Sequence, residues 1–311
     1  MLAFSDIIRH SAQLNGTRIA TVMDERQYTW TDLVDRIARL ATGLVDLGVK
    51  ADTAVAILAL NSDRYFEYKF AVPWAGGVFV PINTRLALPE IVYWLTDSES
   101  EVLFIDANFA GLLGALRKEV PTLREVVYLN DDGAHDGTIA YEDLIAQMSP
   151  MAPTERGGDD LAGLFYTGGT TGRSKGVMLS HHNLLYNVLQ YLPMFPLGSH
   201  ETYLHAAPMF HIADGVSSFT HATLGSRHVF IPRYEPELTM QTIQKFGVTT
   251  TLLVPTMINM LVNHPKIGDY DLSSLVHVLY GASPMPEAVI NRAIEVMPHT
   301  NFSQAYGQTE T

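Results

Sequence analysis

Short apolar runs alternate with amphipathic stretches along the first half of the chain. Residues 54–60 are all apolar, the type of a buried strand, whereas apolar positions at helical spacing follow Thr31, a predicted helix cap, up to Gly48. Further strands are predicted at 18–23, 78–81, 102–106 and 125–129, and helices at 64–72, 89–96 and 108–118. This alternation predicts mostly parallel sheets covered by helices.

The same pattern returns after a polar segment rich in proline and glycine, residues 149–160. Strands are predicted at 203–206, 227–231, 249–254, 276–280 and 301–304. We therefore expect an α/β protein with two packed α/β subdomains, residues 1–155 and 156–311.

Composition narrows the class of protein. A hydrophobic fraction of 47% with 17% charged residues is typical of a folded α/β protein, and a formal net charge of −13 argues against a nucleic-acid partner. The chain has no cysteine, which excludes a disulfide framework and a thiolate nucleophile. The longest apolar region, residues 70–82, is interrupted by proline and glycine and is too short for the ~20 residues of a membrane span. A cytoplasmic protein is the expectation.

Residues 166–177 carry the strongest chemical signal, reading Tyr-Thr-Gly-Gly-Thr-Thr-Gly-Arg-Ser-Lys-Gly-Val. Glycines let successive backbone N–H groups point into one concavity, while threonine hydroxyls and one lysine add donors and positive charge. This composition suits a triphosphate. The segment lies between two strand-like runs, at 161–166 and 177–179, and Ser180 is the predicted cap of a helix from 181 to about 192.

Two other interpretations of this segment fit its residues less well. A Walker A loop requires Gly-Lys followed by Ser or Thr and then a helix, but here Lys175 lies between Ser174 and Gly176. A loose glycine motif is commonly a surface loop that binds no ligand. Here twelve consecutive residues follow a specific order, which argues against that interpretation. His181 and His182, just beyond, are expected to be surface residues and not a metal pair.

The segment resembles the phosphate-binding signature of the adenylate-forming superfamily, which includes acyl-CoA synthetases, firefly luciferase and the adenylation domains of peptide synthetases. Four other stretches resemble further core motifs of that family in the same order: residues 28–33, 74–83, 208–211 and 306–310. The resemblance covers nearly the whole chain and is closest to a fatty acyl-CoA synthetase. It implies a layered αβαβα body.

The resemblance also implies a reaction. The carboxylate of an acid, expected to be a fatty acid, attacks the α-phosphate of ATP, pyrophosphate leaves, and the acyl-adenylate reacts with coenzyme A. Such chemistry depends on positioning and charge neutralisation, which explains a site of glycines, hydroxyls, a lysine and an acid. The implied requirements are ATP, Mg²⁺ and coenzyme A.

Roles can be carried over residue by residue. Glu310 matches the family position that holds Mg²⁺, and Thr167 its partner near the phosphates; His211, Lys175 and Glu310 take the catalytic roles. The implied nucleotide-binding residues are Thr167, Gly168, Gly169, Thr170, Thr171, Gly172 and Lys175 in the loop, Gly281, Ala282 and Ser283 in an adenine shelf, and Gln304, Ala305, Tyr306, Gly307 and Thr309 before Glu310. The shelf departs from the family pattern, because Tyr280 replaces its first glycine.

His211 occupies the position where the resembled synthetases line the carboxylate pocket, and where peptide-synthetase domains tend to carry an aspartate for an amino group. A simple carboxylic acid is therefore expected, whereas Gly215 leaves chain length open. Two alternatives stay open: an adenylation domain that loads a carrier protein, and a catalytically silent nucleotide- or acyl-binding module. A homodimer is a further expectation.

The chain stops directly after the fifth motif. We expect the family's C-terminal lid domain, with its catalytic lysine, to be absent, and the 311-residue chain to be the N-terminal fragment of a longer enzyme, poorly active alone.

Overall fold

In the computed structural model, residues 2–168, 172–194 and 198–310 are described, and their strands form two seven-stranded sheets. In spatial order the first sheet consists of β7 (Ile139–Ala140), β6 (Glu125–Tyr128), β5 (Val102–Ile105), β3 (Ala54–Leu58), β4 (Val78–Pro81), β8 (Leu161–Thr167) and β9 (Lys175–Ser180). The second consists of β14 (Asn301–Gln304), β13 (His277–Tyr280), β12 (Thr250–Leu253), β10 (Thr202–His205), β11 (Arg227–Phe230), β1 (Ile19–Met23) and β2 (Arg26–Thr29). Apart from the hairpins β1–β2 and β8–β9, neighbouring strands in this part of the chain are parallel, as predicted.

Helices cover both faces of the sheets. The described residues contain α1 (Asp6–Asn15), α2 (Trp30–Asp46), α3 (Asp63–Trp74), α4 (Leu88–Asp97), α5 (Leu113–Glu119), α6 (Tyr141–Ala146), α7 (His181–Tyr191), α8 (Ile212–Leu224), α9 (Pro236–Phe246), α10 (Pro255–Val262) and α11 (Glu287–Val296). Helix α7 begins where predicted, because the Ser180 side chain accepts the backbone N–H of Asn183.

Buried apolar side chains pack between the five layers of helices and sheets. The central core contains Phe66 of α3, Phe79 of β4 and Phe230 of β11, and therefore fills the space between the sheets. All twelve residues of α3 are buried. A second core lies under α9–α11 and a third under α4 and α5, on the outer faces of the two sheets. The αβαβα arrangement is confirmed.

The sheets cross the subdomain boundary predicted at residue 155. Strands β1 and β2 join the second sheet through the parallel pairing of β1 with β11, whereas β8 and β9 join the first sheet beside β4. The polar segment 149–160 contains no helix or strand and leads back into the first sheet. Strands pair through contacts between residues distant in sequence. A change of composition along the chain therefore does not predict which strands share a sheet.

Two local predictions were wrong, and one strand was not predicted. Residues 26–29 form that strand, β2. Helix α2 is capped by Thr29 in a reciprocal pair with Asp32, so Thr31, the predicted cap, lies inside the helix. His181 is buried, not exposed, because its Nδ1 accepts the backbone N–H of Phe4 at 3.0 Å beneath the N-terminal segment.

Candidate active site

The phosphate-type loop connects two antiparallel strands. Thr167 at the end of β8 pairs with Lys175 at the start of β9, so a strand and not a helix follows the loop, unlike a Walker A motif. Lys175 is exposed, and a Cβ added to Gly168 or Gly172 would meet nothing within 4 Å. The three predicted residues Gly169, Thr170 and Thr171 lie outside the described residues. The described part of the loop is therefore open to an incoming ligand.

The far side of this loop is fixed to helix α4. The Tyr93 hydroxyl donates to the backbone carbonyl of Ser174 at 3.0 Å, and the Arg173 guanidinium lies 5.1 Å from the Tyr93 ring. These contacts stabilise the arm of the loop that carries Lys175.

Thr167 and Glu310 meet across the two sheets. Thr167 Oγ1 lies 3.4 Å from Glu310 Oε1, although 143 residues separate them. Thr167 ends β8 of the first sheet and Glu310 follows β14 of the second. A hydroxyl and a carboxylate oxygen, both accessible to water, are a sparse oxygen donor set of the kind that holds Mg²⁺ with retained waters and phosphate oxygens. The predicted metal pair fits that ion.

Larger metal sites are not found in the described part of the chain. No group of three or more His, Asp or Glu side chains there is placed to hold a metal ion.

The predicted adenine shelf lies at the carboxyl ends of β13 and β14. Tyr280 pairs with Gln304, and the Ala305 N–H donates to the Tyr280 carbonyl at 2.8 Å. A Cβ on Gly281 would lie 2.5 Å from the Ala305 carbonyl oxygen, so only glycine allows this close approach. Ala282 has a φ of 69°, a left-handed conformation that costs free energy in a non-glycine residue.

The segment after β14 is largely exposed. Tyr306 is 87% exposed, and its hydroxyl accepts a hydrogen bond from Gln308 Nε2 at 3.1 Å. Gly307 is open around its Cα, Ser283 is exposed and Thr309 is half-buried. An exposed aromatic ring beside an open glycine is an arrangement on which a nucleotide base can stack.

His211 is the residue directly before helix α8, and its side chain makes no capping hydrogen bond. Its ring lies 4.4 Å from that of Phe210, and it makes no hydrogen bond or ion pair with Thr167, Lys175 or Glu310 among the described residues. Although part of its surface is accessible, desolvation by the surrounding protein, and then the charge of Arg85, lower the pKa of His211. The imidazole is therefore neutral at pH 7.

A buried polar network was not predicted from the sequence. Asp214, on the first turn of α8, lies 3.5 Å from Lys69 Nζ of α3 and 3.1 Å from His205 Nδ1, and it accepts a hydrogen bond from the Tyr203 hydroxyl at 3.2 Å. His205 Nε2 in turn lies 2.9 Å from His228 Nδ1. Lys69 and Asp214 are each 0% exposed. The sequence does contain a signal for this network, because Lys69 and Asp214 each stand at an inward-facing position of an otherwise apolar helix.

Electrostatics define the charge state of this network. Burial lowers the pKa of Lys69 and opposes ionisation of Asp214, but His205 and Lys69 together hold the pKa of Asp214 below its ordinary value. Desolvation also lowers the pKa of His205. We therefore assign an ionised Asp214, facing Lys69 and accepting a hydrogen bond from a neutral His205.

A narrow cavity lies directly behind this network. It is bounded by the inner face of α8, by β10, β12 and β13, and by Tyr191 at the end of α7; eight of its nine lining residues carry polar groups, Leu279 being the exception. Ser217 lines it and is 4% exposed. Burial raises the pKa of Tyr203. The Ser217 side chain, close to the Tyr203 hydroxyl, partly offsets this increase.

None of the described helices combines the length and apolar character that crossing a bilayer requires.

Comparisons with known proteins agree with this geometry. The family model described as AMP-binding enzyme matches residues 8–311. A feruloyl-CoA synthase from an Amycolatopsis species is 36% identical over 283 residues, which are 91% of this chain and 54% of that protein. A long-chain-fatty-acid–CoA ligase from Thermus thermophilus is 33% identical over 287 residues, which are 91% of this chain and 52% of that protein.

The N-terminal domain of FACL13 from Mycobacterium tuberculosis superposes with a TM-score of 0.91 at 26% identity, covering 100% of this chain and 77% of that one. The chain belongs to the AMP-binding enzyme family. It spans about half the length of the curated relatives that it matches.

Proposed function

We propose that this chain binds Mg-ATP and a carboxylic acid and forms an acyl-adenylate, and that the whole protein transfers the acyl group to coenzyme A. The observation that carries the proposal is the contact of Thr167 with Glu310, which joins the phosphate-type loop of one sheet to the nucleotide shelf of the other. The relatives named as CoA ligases support coenzyme A as the acceptor.

The first step forms a mixed anhydride. A carboxylate oxygen attacks the α-phosphorus of ATP, the bond from that phosphorus to the bridging oxygen breaks, and its electron pair leaves with pyrophosphate. Lys175 and the loop N–H groups bind the outer phosphates and stabilise the charge of the leaving group. Bound Mg²⁺, held by Glu310 and Thr167, would neutralise phosphate charge during this step.

Positioning accounts for the other residues. Gly281, Ala282 and Ser283, with Gln304 to Tyr306, form the surface on which the adenosine lies, while Gly307 and Thr309 approach the α-phosphate. A neutral His211 borders the acid's carboxylate without adding a charge that would weaken it as a nucleophile. In the second step the thiol sulfur of coenzyme A attacks the acyl carbon, AMP leaves, and the thiol proton passes to solvent.

Pyrophosphate exchange tests the proposal. Labelled pyrophosphate should enter ATP only when a carboxylic acid and Mg²⁺ are present, and Glu310→Gln should abolish the exchange, whereas Glu119→Gln, on the exposed surface of α5, should not. Exchange that is independent of the acid, or absent with every acid tried, would contradict it. Acyl transfer only to a carrier protein would favour the carrier-loading alternative.

Three finer expectations from the sequence stay predictions: the fatty nature of the acid, the cytoplasmic location and the homodimer. The first depends on resemblance alone, because the relatives include ligases named for feruloyl, indoleacetate and long-chain fatty acids.

A further inference from the structure

Asn61 binds the chain segment that leads to His211. Its side-chain Oδ1 accepts the backbone N–H of Met209 at 2.9 Å, and its Nδ2 donates to the carbonyl oxygens of Ala207 at 2.9 Å and His205 at 3.3 Å. Asn61 is 5% exposed. The amide oxygen must face the Met209 N–H, because a reversed amide would place two donors against each other. One buried side chain therefore holds the backbone between β10 and His211 at three points.

Asn61 itself has a fixed place in the loop between β3 and α3. The Leu60 N–H before it donates to Asp106 Oδ2 at 2.7 Å, and the Ser62 side chain after it caps α3. The backbone N–H of Asn61 donates to the Pro232 carbonyl, just beyond β11, at 3.1 Å. Asn61 thus connects a loop of the first sheet to the segments that follow β10 and β11 of the second sheet.

His211 depends on this segment for its position. Its side chain makes no capping hydrogen bond to α8 and no hydrogen bond to any other described residue, and its ring packs against that of Phe210. Its backbone N–H donates to the Pro208 carbonyl at 3.1 Å, within the same short segment. Because no hydrogen bond to the described residues holds the imidazole, its position follows from the backbone that Asn61 holds.

We infer, on the basis of the proposed function, that Asn61 is a positioning residue for acid activation and sets the place of His211 against the carboxylate of the acid. The site takes groups from both sheets, since Thr167 ends β8 of the first sheet and His211 follows β10 of the second. Their separation therefore depends on the contacts between the sheets, and Asn61 supplies such a contact beside His211. A displacement of ~1 Å near the reacting groups can lower a rate by about 100-fold.

Pyrophosphate exchange, measured against the acid and against Mg-ATP, separates positioning from stability. Benzoate, ferulate, octanoate and palmitate are screened first, and the acid with the fastest wild-type exchange is used. Asn61→Ala should lower the maximal exchange rate by about 10- to 100-fold and raise the KM for the acid. The KM for Mg-ATP should stay within about twofold of the wild type, because Asn61 contacts neither the phosphate-type loop nor Glu310.

Ser11→Ala is the matched control. The Ser11 hydroxyl is also buried, and it donates to the backbone carbonyl of Ala222, which lies 211 residues away at the opposite end of α8. Its loss should lower the urea midpoint, as that of Asn61 should, because a buried carbonyl loses its donor. The exchange rate and both KM values should stay at the wild-type level.

Combination with His211→Ala tests the route of the effect. If Asn61 acts through His211, Asn61→Ala should cost less than about twofold further once His211 has been replaced, because the two changes then remove the same interaction. Asn61→Asp is a second single variant. It has the same shape and keeps an acceptor for the Met209 N–H, but its carboxylate donates nothing to the two carbonyl oxygens, and it should show the same separation of KM values.

Three results would overturn the inference: an equal loss from Asn61→Ala with and without His211, a rise in the KM for Mg-ATP that matches the rise for the acid, or an unchanged exchange rate in a folded variant. Failure of both Asn61 variants to fold would assign Asn61 to stability alone and would also reject the positioning role. Absence of exchange by the wild type with every acid would instead reject the proposed activity.

Discussion

Replacing Asp214 by asparagine removes the negative charge that faces Lys69 between the two sheets. Both side chains are 0% exposed, and Lys69 Nζ lies 3.5 Å from Asp214 Oδ2. Breaking a buried pair by removing one charge costs about 3–5 kcal/mol, because the remaining charge stays buried or must be neutralised. We expect Asp214→Asn to lower the free energy of unfolding by that amount, measured by urea unfolding followed by tryptophan fluorescence.

Removing the other partner should cost less. In Lys69→Met, Asp214 keeps its contact with His205 and the hydrogen bond from Tyr203, so its charge remains compensated. The double variant should lose less free energy of unfolding than the two single variants lose together. The difference should be at least ~1 kcal/mol, because the two residues are in contact. Asp132→Asn, on the exposed surface, serves as the control. An Asp214→Asn loss below about 1 kcal/mol, or strict additivity, would refute the reasoning.

Two further predictions concern phosphate binding and pH. Lys175→Ala should weaken ATP binding more than AMP binding, because its charge faces the outer phosphates; equal losses by calorimetry would count against that role. Desolvation lowers the pKa of His181 from 6.5 to about 4, and the unfolded chain therefore binds more protons between these values. Stability should fall as pH decreases below 6.5, with about 2 kcal/mol lost from this residue by pH 5. His181→Gln should be less sensitive to pH; identical pH profiles for the variant and the wild type would reject this origin.

Local sequence patterns predicted much of the fold because strands and caps are coded by neighbouring residues. Strands at 78–81 and 301–304 were predicted at their observed limits, and Ser180 was correctly identified as the cap of α7. The two strands that flank the phosphate-type loop were predicted from the apolar runs on both sides, although their antiparallel pairing was not. Each of these features depends on side chains within a few positions of one another.

Features that depend on distant contacts were not predictable in this way. Strand β1 joins the second sheet because it pairs with β11, and β8 joins the first sheet because it pairs with β4. The burial of His181 follows from its hydrogen bond to the backbone of Phe4. The Lys69–Asp214 pair brings together residues from helices in different halves of the chain. At the site, Glu310 and Thr167 were both proposed from resemblance, but their contact is visible only in the folded chain.

Calorimetric titration of ATP, with and without Mg²⁺, tests the nucleotide site most directly. Wild type, Glu310→Gln and the surface control Glu119→Gln should be compared at one ionic strength. We predict that Mg²⁺ strengthens ATP binding to the wild type and to the control by about tenfold or more, and that Glu310→Gln loses this enhancement while still binding ATP weakly. Equal Mg²⁺ enhancement in all three proteins would contradict the assignment of Thr167 and Glu310 as the metal-binding pair.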